Sequence, residues 1–374
     1  MVGVSPAPSA HGAFAGELVR RIRMSQPRRR AARGPSNIGV EIDSDRTRVI
    51  QPRRPGSEEI RRALEIPHLG GAIDSSALRN ALRGFSGRDA VVAPPSDELE
   101  LRPVRLPRLE GDELREAARW EAASALGVDG ADLVAEPIVV SGQPGEDGRM
   151  EMLVIAGRAS RITSLLEPLF EAGLRPIAVE PGFMAAARVF TRRSRRDAER
   201  DEVRLVIEVG MEGSWLVVMR GDAVVFAKSV KIGASDIHRE ISRDLGISES
   251  EAVSTRIDAV EERLDGLVLE AVRDCVRRST RPIVEEASMA LRYATVSARL
   301  GRARSVHVSG PAGRSPGLAE ALDAAFPGVP LEIDHVLDAH LDADPTISGC
   351  GGASSWVRAY GLAIRPSVAR EIAA

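Results

Sequence analysis

The feature that most constrains the fold is a strand, turn and strand pattern that occurs twice, 167 residues apart. The first copy is IGVEIDSDRTRVIQ at 38–51, and the second is LVIEVGMEGSWLVV at 205–218. In each copy an apolar strand presents a carboxylate, Glu41 or Glu208, just before a tight turn, and a second apolar strand follows. A repeat at domain spacing predicts two similar halves whose first hairpins face each other.

The segments after the second hairpin predict alternating strands and helices. The helix at 234–246 is expected to be capped by Ser235 or Asp236 and to end at Gly246. The other elements expected in this part are a strand at 223–233, a long helix within 277–301, a strand at 305–310 and a helix at 317–326.

The last apolar segment is SSWVRAYGLAIRP at 354–366. Its small residues Ala359, Gly361 and Ala363 predict a helix surface that packs closely against another element. The composition of this segment therefore indicates a buried terminal helix.

Composition divides the chain into a basic tail and two halves. The tail carries seven arginines against one acid, and its amphipathic segment FAGELVRRIRM is too short for a stable isolated helix in water. A strongly charged connector at 191–202 separates the halves. The predicted domains are a disordered tail at 1–36, a first half at 37–200 with an inserted subdomain at about 89–174, and a second half at 201–374.

Charge and cysteine content exclude several classes of protein. A formal charge of −3 over 374 residues gives no general attraction to nucleic acid. The two cysteines, Cys275 and Cys350, are far apart and form no paired motif, which favours a reducing compartment. No apolar run approaches the roughly 20 residues that cross a bilayer. These features predict a soluble, cytoplasmic protein.

The ordered segments resemble the actin-like ATPase superfamily, and within it the family of the type IV pilus assembly protein PilM. FtsA and the cytoplasmic part of GspL are relatives of that family. The matches cover about 37–366. They are IGVEIDSDRTRVI for IGVDIGSSSVKLV, the Trp120–Glu121 pair for a "WE" helix, FEAGLRPIAVE for EEAGLKPVAVD, IEVGMEGS for VDIGASTT, AKSVKIGA for RPIPIGG, SGPAGRSPGL for SGGGALLPGL, and VRAYGLAIR for AVAIGLALR.

The resemblance implies an α/β, actin-like ATPase fold of two RNase-H-like halves, with ATP and magnesium in the cleft between them. By the family pattern, 38–50 and 207–214 form the phosphate loops and 309–318 contacts the adenosine. Glu41 and Glu208 are then the candidate magnesium ligands, and the catalytic carboxylates if the cleft is active. The candidate cofactor-binding residues are Glu41, Asp43, Ser44, Asp45, Glu208, Gly210, Met211, Glu212, Gly233, Gly310, Pro311 and Gly313.

The resemblance also implies a partner. PilM-type proteins are cytoplasmic and bind the short N-terminal tail of the membrane-anchored protein PilN in a groove beside the inserted subdomain. In that family ATP organises the complex. The implied location is the inner face of the cytoplasmic membrane, reached through partner proteins, with self-association left open.

Several departures from the family pattern predict weak phosphate binding. Glu41 and Glu208 replace two aspartates and lengthen each arm by a methylene, which matters for the strict octahedral geometry of magnesium. Asp43 replaces a loop glycine and adds a negative charge where phosphates would lie. Glu212 adds a second anion, and Pro311 removes an amide donor. No other residue obviously compensates for these changes.

Three hypotheses follow. The leading one is a scaffold of a type IV pilus or type II secretion platform that binds a PilN-like tail and has weak or lost ATP binding, hence a pseudo-ATPase rather than an enzyme. The first alternative is an active magnesium-dependent ATPase or kinase of the same superfamily. The second is an FtsA-like cytoskeletal protein at the membrane.

Overall fold

The computed structural model describes residues 35–68, 73–139, 147–191, 201–296, 300–333 and 353–366. Nearly all of the predicted basic tail and most of the charged connector at 191–202 lie outside these residues. Within them the chain folds as an α/β protein with three sheets.

The first sheet contains the first copy of the sequence repeat. Its strand order is β3-β2-β1-β4-β8. The first three strands run antiparallel to one another, whereas β4 and β8 add in parallel, as expected when helical crossovers connect them. The strands are β1 (Ile38–Ile42), β2 (Arg46–Pro52), β3 (Ile60–Pro67), β4 (Asp89–Ala93) and β8 (Arg175–Val179).

The second sheet repeats this topology. Its order is β11-β10-β9-β12-β13, again with an antiparallel hairpin beside two parallel strands. The strands are β9 (Val203–Val209), β10 (Ser214–Arg220), β11 (Ala223–Val230), β12 (Ala303–Ser309) and β13 (Leu331–Ile333). Because β1 and β9 hold the same central place, the repeat of two similar halves predicted from the sequence is confirmed. The domain boundaries themselves stay a prediction.

A third, smaller sheet lies in the chain between β4 and β8. Its order is β5-β7-β6, and all neighbours are antiparallel. The helix α2 packs on this sheet through Ala118, Ala122 and Ala123. The strands are β5 (Glu100–Pro107), β6 (Leu133–Val139) and β7 (Arg149–Arg158), and the helix is α2 (Gly111–Leu126).

Helices cover the two larger sheets. The helix that follows β11 is capped by Gly233, and the Asp236 carboxylate accepts the Gly233 N–H at 2.9 Å. The N-cap residue is therefore Gly233, two residues before Ser235, so the expected N-cap position at Ser235 or Asp236 is wrong. Asp236 still takes part in the cap, because its carboxylate accepts the N-cap N–H, and the stop at Gly246 is confirmed. The helices are α1 (Ser75–Ala81), α3 (Ala159–Glu171), α4 (Gly182–Thr191), α5 (Ala234–Leu245), α6 (Glu249–Val260), α7 (Gly266–Val296), α8 (Leu318–Ala325) and α9 (Val357–Ala363).

None of the helices in the described part of the chain combines the length and the apolarity needed to cross a bilayer. The longest of them, α7, buries one apolar face that includes Ile283, Ala287 and Ala290. Most of the rest of its surface is polar or charged, with Leu267 and Met289 among the exposed apolar exceptions. Its pattern is therefore that of a helix packed on a sheet.

The terminal helix α9 returns from the second half to the first. It packs against β1 and α4, and all of its residues are buried. A Cβ on Gly361 would collide with the carbonyl oxygen of Ala185, and one on Gly39 with that of Ala359. The close packing predicted from the small residues of this segment is confirmed, and it fixes the position of every other side chain on α9.

Gly361→Ala should therefore destabilise the fold. The added methyl group has no room beside α4, so either α9 or α4 must move, and overpacking of this kind costs about 1–3 kcal/mol. Denaturant unfolding measures the loss. Gly266→Ala is the matched control, because nothing lies within 4 Å of a Cβ at the start of α7. Equal stability of the two variants would contradict the close packing of α9.

Candidate functional site at the cleft between the sheets

Two carboxylates lie at corresponding places on the central strands. Glu41 lies on β1 and Glu208 on β9, and each side chain is only 1% exposed. Both strands are paired on both sides, so the backbone fixes where each carboxylate starts. We call the space between the ends of β1 and β9 and the turn after β12 the cleft.

The guanidinium group of Arg358 lies between these carboxylates. Its Nη2 is 2.6 Å from Glu41 Oε1 and 3.0 Å from Asp43 Oδ2. Its Nε is 3.4 Å from Glu208 Oε1, which is within ion-pair distance. The first sheet thus contributes two carboxylates to one arginine, and the second sheet contributes one. This arrangement corrects the expectation that no residue compensates for the added negative charge of Asp43.

A second arginine extends the cluster in the first sheet. Arg48 on β2 lies 3.2 Å from Glu41 Oε1 through Nη1 and 2.8 Å from Glu65 Oε2 through Nε. Both Arg48 and Arg358 are almost completely buried. The cluster therefore contains more carboxylates than guanidinium groups in a region from which water is excluded. Buried charges of one sign in excess are costly, because desolvation is not repaid by pairing.

The excess negative charge shifts the ionisation of the cluster. Burial raises the pKa of Glu208 to about 7. The positive charge of Arg358 lowers this pKa, whereas the negative charges of Glu41 and Asp43 raise it further. Burial also raises the pKa of Glu41, although Arg358 and Arg48 oppose it. For Arg358, burial lowers the pKa, but Glu208, Glu41 and Asp43 together outweigh burial and raise it above the usual range. Arg358 is therefore always charged, whereas Glu208 is partly protonated near neutral pH.

Three carboxylate oxygens of the cluster accept no hydrogen bond from the described residues: Oε2 of Glu41 and both oxygens of Glu208. The Arg358 Nε is close enough to Glu208 for an ion pair, but its N–H does not point at the oxygen. Glu208 is consequently the least satisfied member of the cluster, in agreement with its raised pKa.

The two predicted phosphate loops approach each other directly. Ser44 Oγ, in the first loop, lies 3.5 Å from Glu212 Oε1 in the second, and Ser235 Oγ donates to the same oxygen at 2.9 Å. Asp45 pairs with its neighbour Arg46 at 2.6 Å. The contact between Ser44 and Glu212 leaves little space for phosphate groups between the loops.

Backbone packing fixes the second loop. A Cβ on Gly233 would collide with the carbonyl oxygen of Met211, and one on Gly210 would lie 2.6 Å from that of Gly213. The glycines at these two positions are therefore required by the close approach of the backbone. Met211 and Glu212 lie in the same turn. The structure therefore brings the predicted second loop to the cleft.

The turn after β12 closes the third side of the cleft. Gly310 has a positive φ of 94°, and a Cβ there would lie 2.9 Å from Glu208 Oε1. A Cβ on Gly313 would lie 2.7 Å from the carbonyl oxygen of Ser309. Of the predicted residues in this turn, Gly310 borders Glu208, whereas Gly313 lies against the backbone of Ser309. Their role as a contact for adenosine stays a prediction.

A buried arginine in the second half holds this turn. Arg256 on α6 donates from Nη1 to the carbonyl oxygen of Pro311 at 3.0 Å and from Nε to His238 Nε2 at 2.9 Å. Burial and the neighbouring Arg256 lower the pKa of His238 to about 4, so this imidazole is neutral and accepts the hydrogen bond. The role of His238 here is structural, because it orients the arginine that holds the turn.

The residues present do not fit a magnesium ion. Magnesium needs oxygen ligands at about 2.0–2.1 Å in near-ideal octahedral geometry. In this conformation the Nη2 of Arg358 occupies the side of Glu41 and Asp43 that faces Glu208. A cation added beside the guanidinium would also be repelled by it. The carboxylates expected to bind magnesium are instead engaged by a side chain of the protein itself.

Arg358 is the site residue that sequence reasoning missed. The family pattern AVAIGLALR has valine where this chain, VRAYGLAIR, has Arg358. An arginine among the apolar residues of a segment expected to be buried was the available signal, because a buried arginine needs an acidic partner. The alignment alone did not indicate which acids it would meet, since Asp43 is 315 residues away in sequence.

The raised pKa of Glu208 predicts how stability depends on pH. Because the folded protein holds this proton more tightly than the unfolded chain, Glu208 lowers the free energy of unfolding as the pH rises from 4.5 to about 7. Glu208→Gln removes the charge, so we expect it to raise that free energy by about 1–3 kcal/mol near pH 8, and to change it little below pH 4.5. Denaturant titrations at both pH values measure this difference.

The control for this prediction is Glu212→Gln. Glu212 lies in the same loop but is exposed, so its replacement should not reproduce the gain at high pH. A Glu208→Gln effect of equal size at both pH values would show that a change in packing, and not the charge, is responsible.

Comparison with known proteins places this chain in a family. The model of the family "Type IV pilus assembly protein PilM" matches residues 75–365. A solved PilM-PilN type IV pilus biogenesis complex contains a chain that is 21% identical, with a TM-score of 0.70 over 89% of this chain and 99% of that one. The ethanolamine utilization protein EutJ from Carboxydothermus hydrogenoformans is 12% identical, with a TM-score of 0.49 over 95% and 100% of the two chains.

The cytoplasmic domain of EpsL from the type II secretion system of Vibrio cholerae is 14% identical, with a TM-score of 0.39 over 57% of this chain and 78% of that one. No curated protein matches the chain significantly. The structural likeness to the PilM chain supports the actin-like fold, and the family match covers more than half of the sequence. The chain belongs to the family of the type IV pilus assembly protein PilM.

Proposed function

We propose that this protein is a scaffold of a type IV pilus or type II secretion platform, docked at the inner face of the cytoplasmic membrane through the N-terminal tail of a PilN-like protein. Family membership supports the class of machine. The observation that carries the proposal is that Arg358 pairs with Glu41, Asp43 and Glu208. Carboxylates engaged in this way support a structural role for the cleft rather than binding and hydrolysis of ATP.

Weak or lost ATP binding is part of this proposal. A triphosphate in the cleft would have to separate the two loops that now meet at Ser44 and Glu212, and it would meet the carboxylates of Asp43 and Glu212. Like charges oppose binding, and the opposition is stronger at the buried Asp43 than at the exposed Glu212. The same arrangement disfavours the alternative of an active ATPase or kinase.

The inserted subdomain supplies surface suited to a tail. Its helix α2 exposes Trp120, of which 59% is accessible, and the guanidinium of Arg119 lies 5.7 Å from the ring centroid. Exposed tryptophans are frequent anchors of protein interfaces, because a large rigid ring is buried at little entropic cost. The first sheet contributes Ile177 on its edge strand β8, where an extended peptide could add by strand pairing.

Tail docking at this surface is tested with synthetic N-terminal peptides of single-span inner-membrane pilus proteins. We expect saturable binding by calorimetry, and a loss of about tenfold or more in affinity for Trp120→Ala or Ile177→Ala. Leu267→Ala is the matched control, since Leu267 is an exposed apolar residue, 88% accessible, at the start of α7 in the second half. Binding to none of these peptides, or a loss in the Leu267 variant alone, would contradict the proposal.

Nucleotide binding is tested by calorimetry with magnesium and ATP. We expect no binding at micromolar concentrations of ligand, because Arg358 engages Glu41 and Asp43 in the cleft. Micromolar binding that Glu208→Gln abolishes would favour the ATPase alternative. Tail binding is measured in the same buffers with and without nucleotide, so that loss of one activity is not mistaken for loss of the other.

A further inference from the structure

We propose that Arg358 is an internal cationic bridge that holds the two halves together, and that the protein thereby closes its cleft without a ligand. The bridge consists of the Arg358 guanidinium with Glu41 and Asp43 on one side and Glu208 on the other. This inference concerns the way the halves are joined, so it goes beyond the proposed docking of a partner and does not depend on it.

The stem of Arg358 is held on the side of the first sheet. Its helix α9 packs on α4 and β1, as described above for Gly39 and Gly361. A Cβ on Gly182, the first residue of α4, would lie 2.6 Å from Arg358 Cδ, so that glycine leaves the space through which the side chain passes. The guanidinium therefore reaches the cleft from a fixed base in the first half.

The head of Arg358 contacts both halves. Nη2 faces Glu41 and Asp43, Nη1 lies 3.4 Å from Ser96 Oγ, and Nε faces Glu208. A planar guanidinium with separate donors satisfies several acceptors in one plane, which the single point charge of a lysine cannot do. The choice of arginine is thus explained by the number and positions of the carboxylates.

The segment that carries Arg358 is also tied to the second half just before it crosses. Ser354 Oγ donates to the carbonyl oxygen of Gly310 at 3.0 Å, and the Gly310 N–H donates to the carbonyl oxygen of Ser354 at 3.2 Å. Four residues later the chain lies against the first sheet. The bridge therefore acts at the place where the backbone itself passes between the two sheets.

Charge balance makes the bridge necessary for closure. Without Arg358, the carboxylates of Glu41, Asp43 and Glu208 would face one another across a buried gap, with only Arg48 nearby on one side. Such a gap either opens to water, takes up protons or takes up another cation. If Arg358 acts as this bridge, removal of its guanidinium should make closure of the cleft depend on a cation from solution.

The experiment uses the full chain with Arg358→Met, which retains the apolar stem and removes the charge. Hydrogen exchange is followed at the loops 41–45 and 207–214 with and without magnesium chloride. We expect exchange at both loops to accelerate by about tenfold or more in the variant, and magnesium to restore much of the protection. In the parent protein, magnesium should have no effect on either loop.

Two further variants keep the test decisive. Asp43→Asn combined with Arg358→Met removes one charge of each sign, so it guards against a failure of the single variant to fold, and it should lose protection to a smaller extent than Arg358→Met. Arg365→Met is the structural control, because Arg365 is equally buried and pairs with Glu180 at 2.8 Å in the first half. It should lower stability without making the loops at 41–45 and 207–214 respond to magnesium.

The outcomes separate cleanly. A response to magnesium in the variants of Arg358, absent from the parent and from Arg365→Met, supports the bridge. Unchanged exchange at both loops in a folded variant of Arg358, or faster exchange that magnesium does not reduce, would overturn it. Neither result depends on whether a tail peptide binds, so the failure of this inference is distinguishable from the failure of the proposed function.

Discussion

The structure depends on one buried cation shared by carboxylates from two sheets. An isolated carboxylate in an apolar interior costs many kcal/mol, and pairing repays that cost only where geometry is good. Arg358 supplies such geometry to Glu41 and Asp43, and a longer contact to Glu208. The carboxylates still outnumber the guanidinium groups, and this excess of negative charge favours proton uptake by Glu208, whose pKa rises to about 7. The packing of α9 thus positions the guanidinium, and the ionisation of the cluster follows from the contacts that the guanidinium makes.

The internal repeat creates the electrostatic problem that Arg358 solves. Because both halves place their central strand in the same position, both bring an acidic residue to the end of the strand that faces the other half. Two carboxylates in such a place need a cation between them. The cation can come from solution, as with a bound metal, or from the chain. In this protein it comes from α9, the element that crosses back to the first sheet.

The strands and the repeat were predictable because they depend on local sequence. Alternation of apolar residues, the acidic turns and the small residues of α9 each act over a few positions, and each matches the structure. The N-cap residue of α5 was not predictable in this way. The close approach of the Met211 backbone requires glycine at position 233, and this requirement outweighs the preference for a polar N-cap. The partners of Arg358 were also beyond local inference, because the contact to Asp43 spans 315 residues. A pattern identifies a buried charge, but only the tertiary fold determines which charge faces it.

A built-in cation also changes what holds the halves together. A ligand that binds only the closed state stabilises it by an amount that grows with the ligand concentration and vanishes when the ligand is removed. A side chain of the same polypeptide has a fixed effective concentration, set by the length and stiffness of its connection to the rest of the fold. Because α9 is packed tightly on β1 and α4, the guanidinium has little freedom to leave. A scaffold closed in this way would present the same docking surface whether nucleotide is abundant or absent, which is the physical requirement for a structural part of a machine.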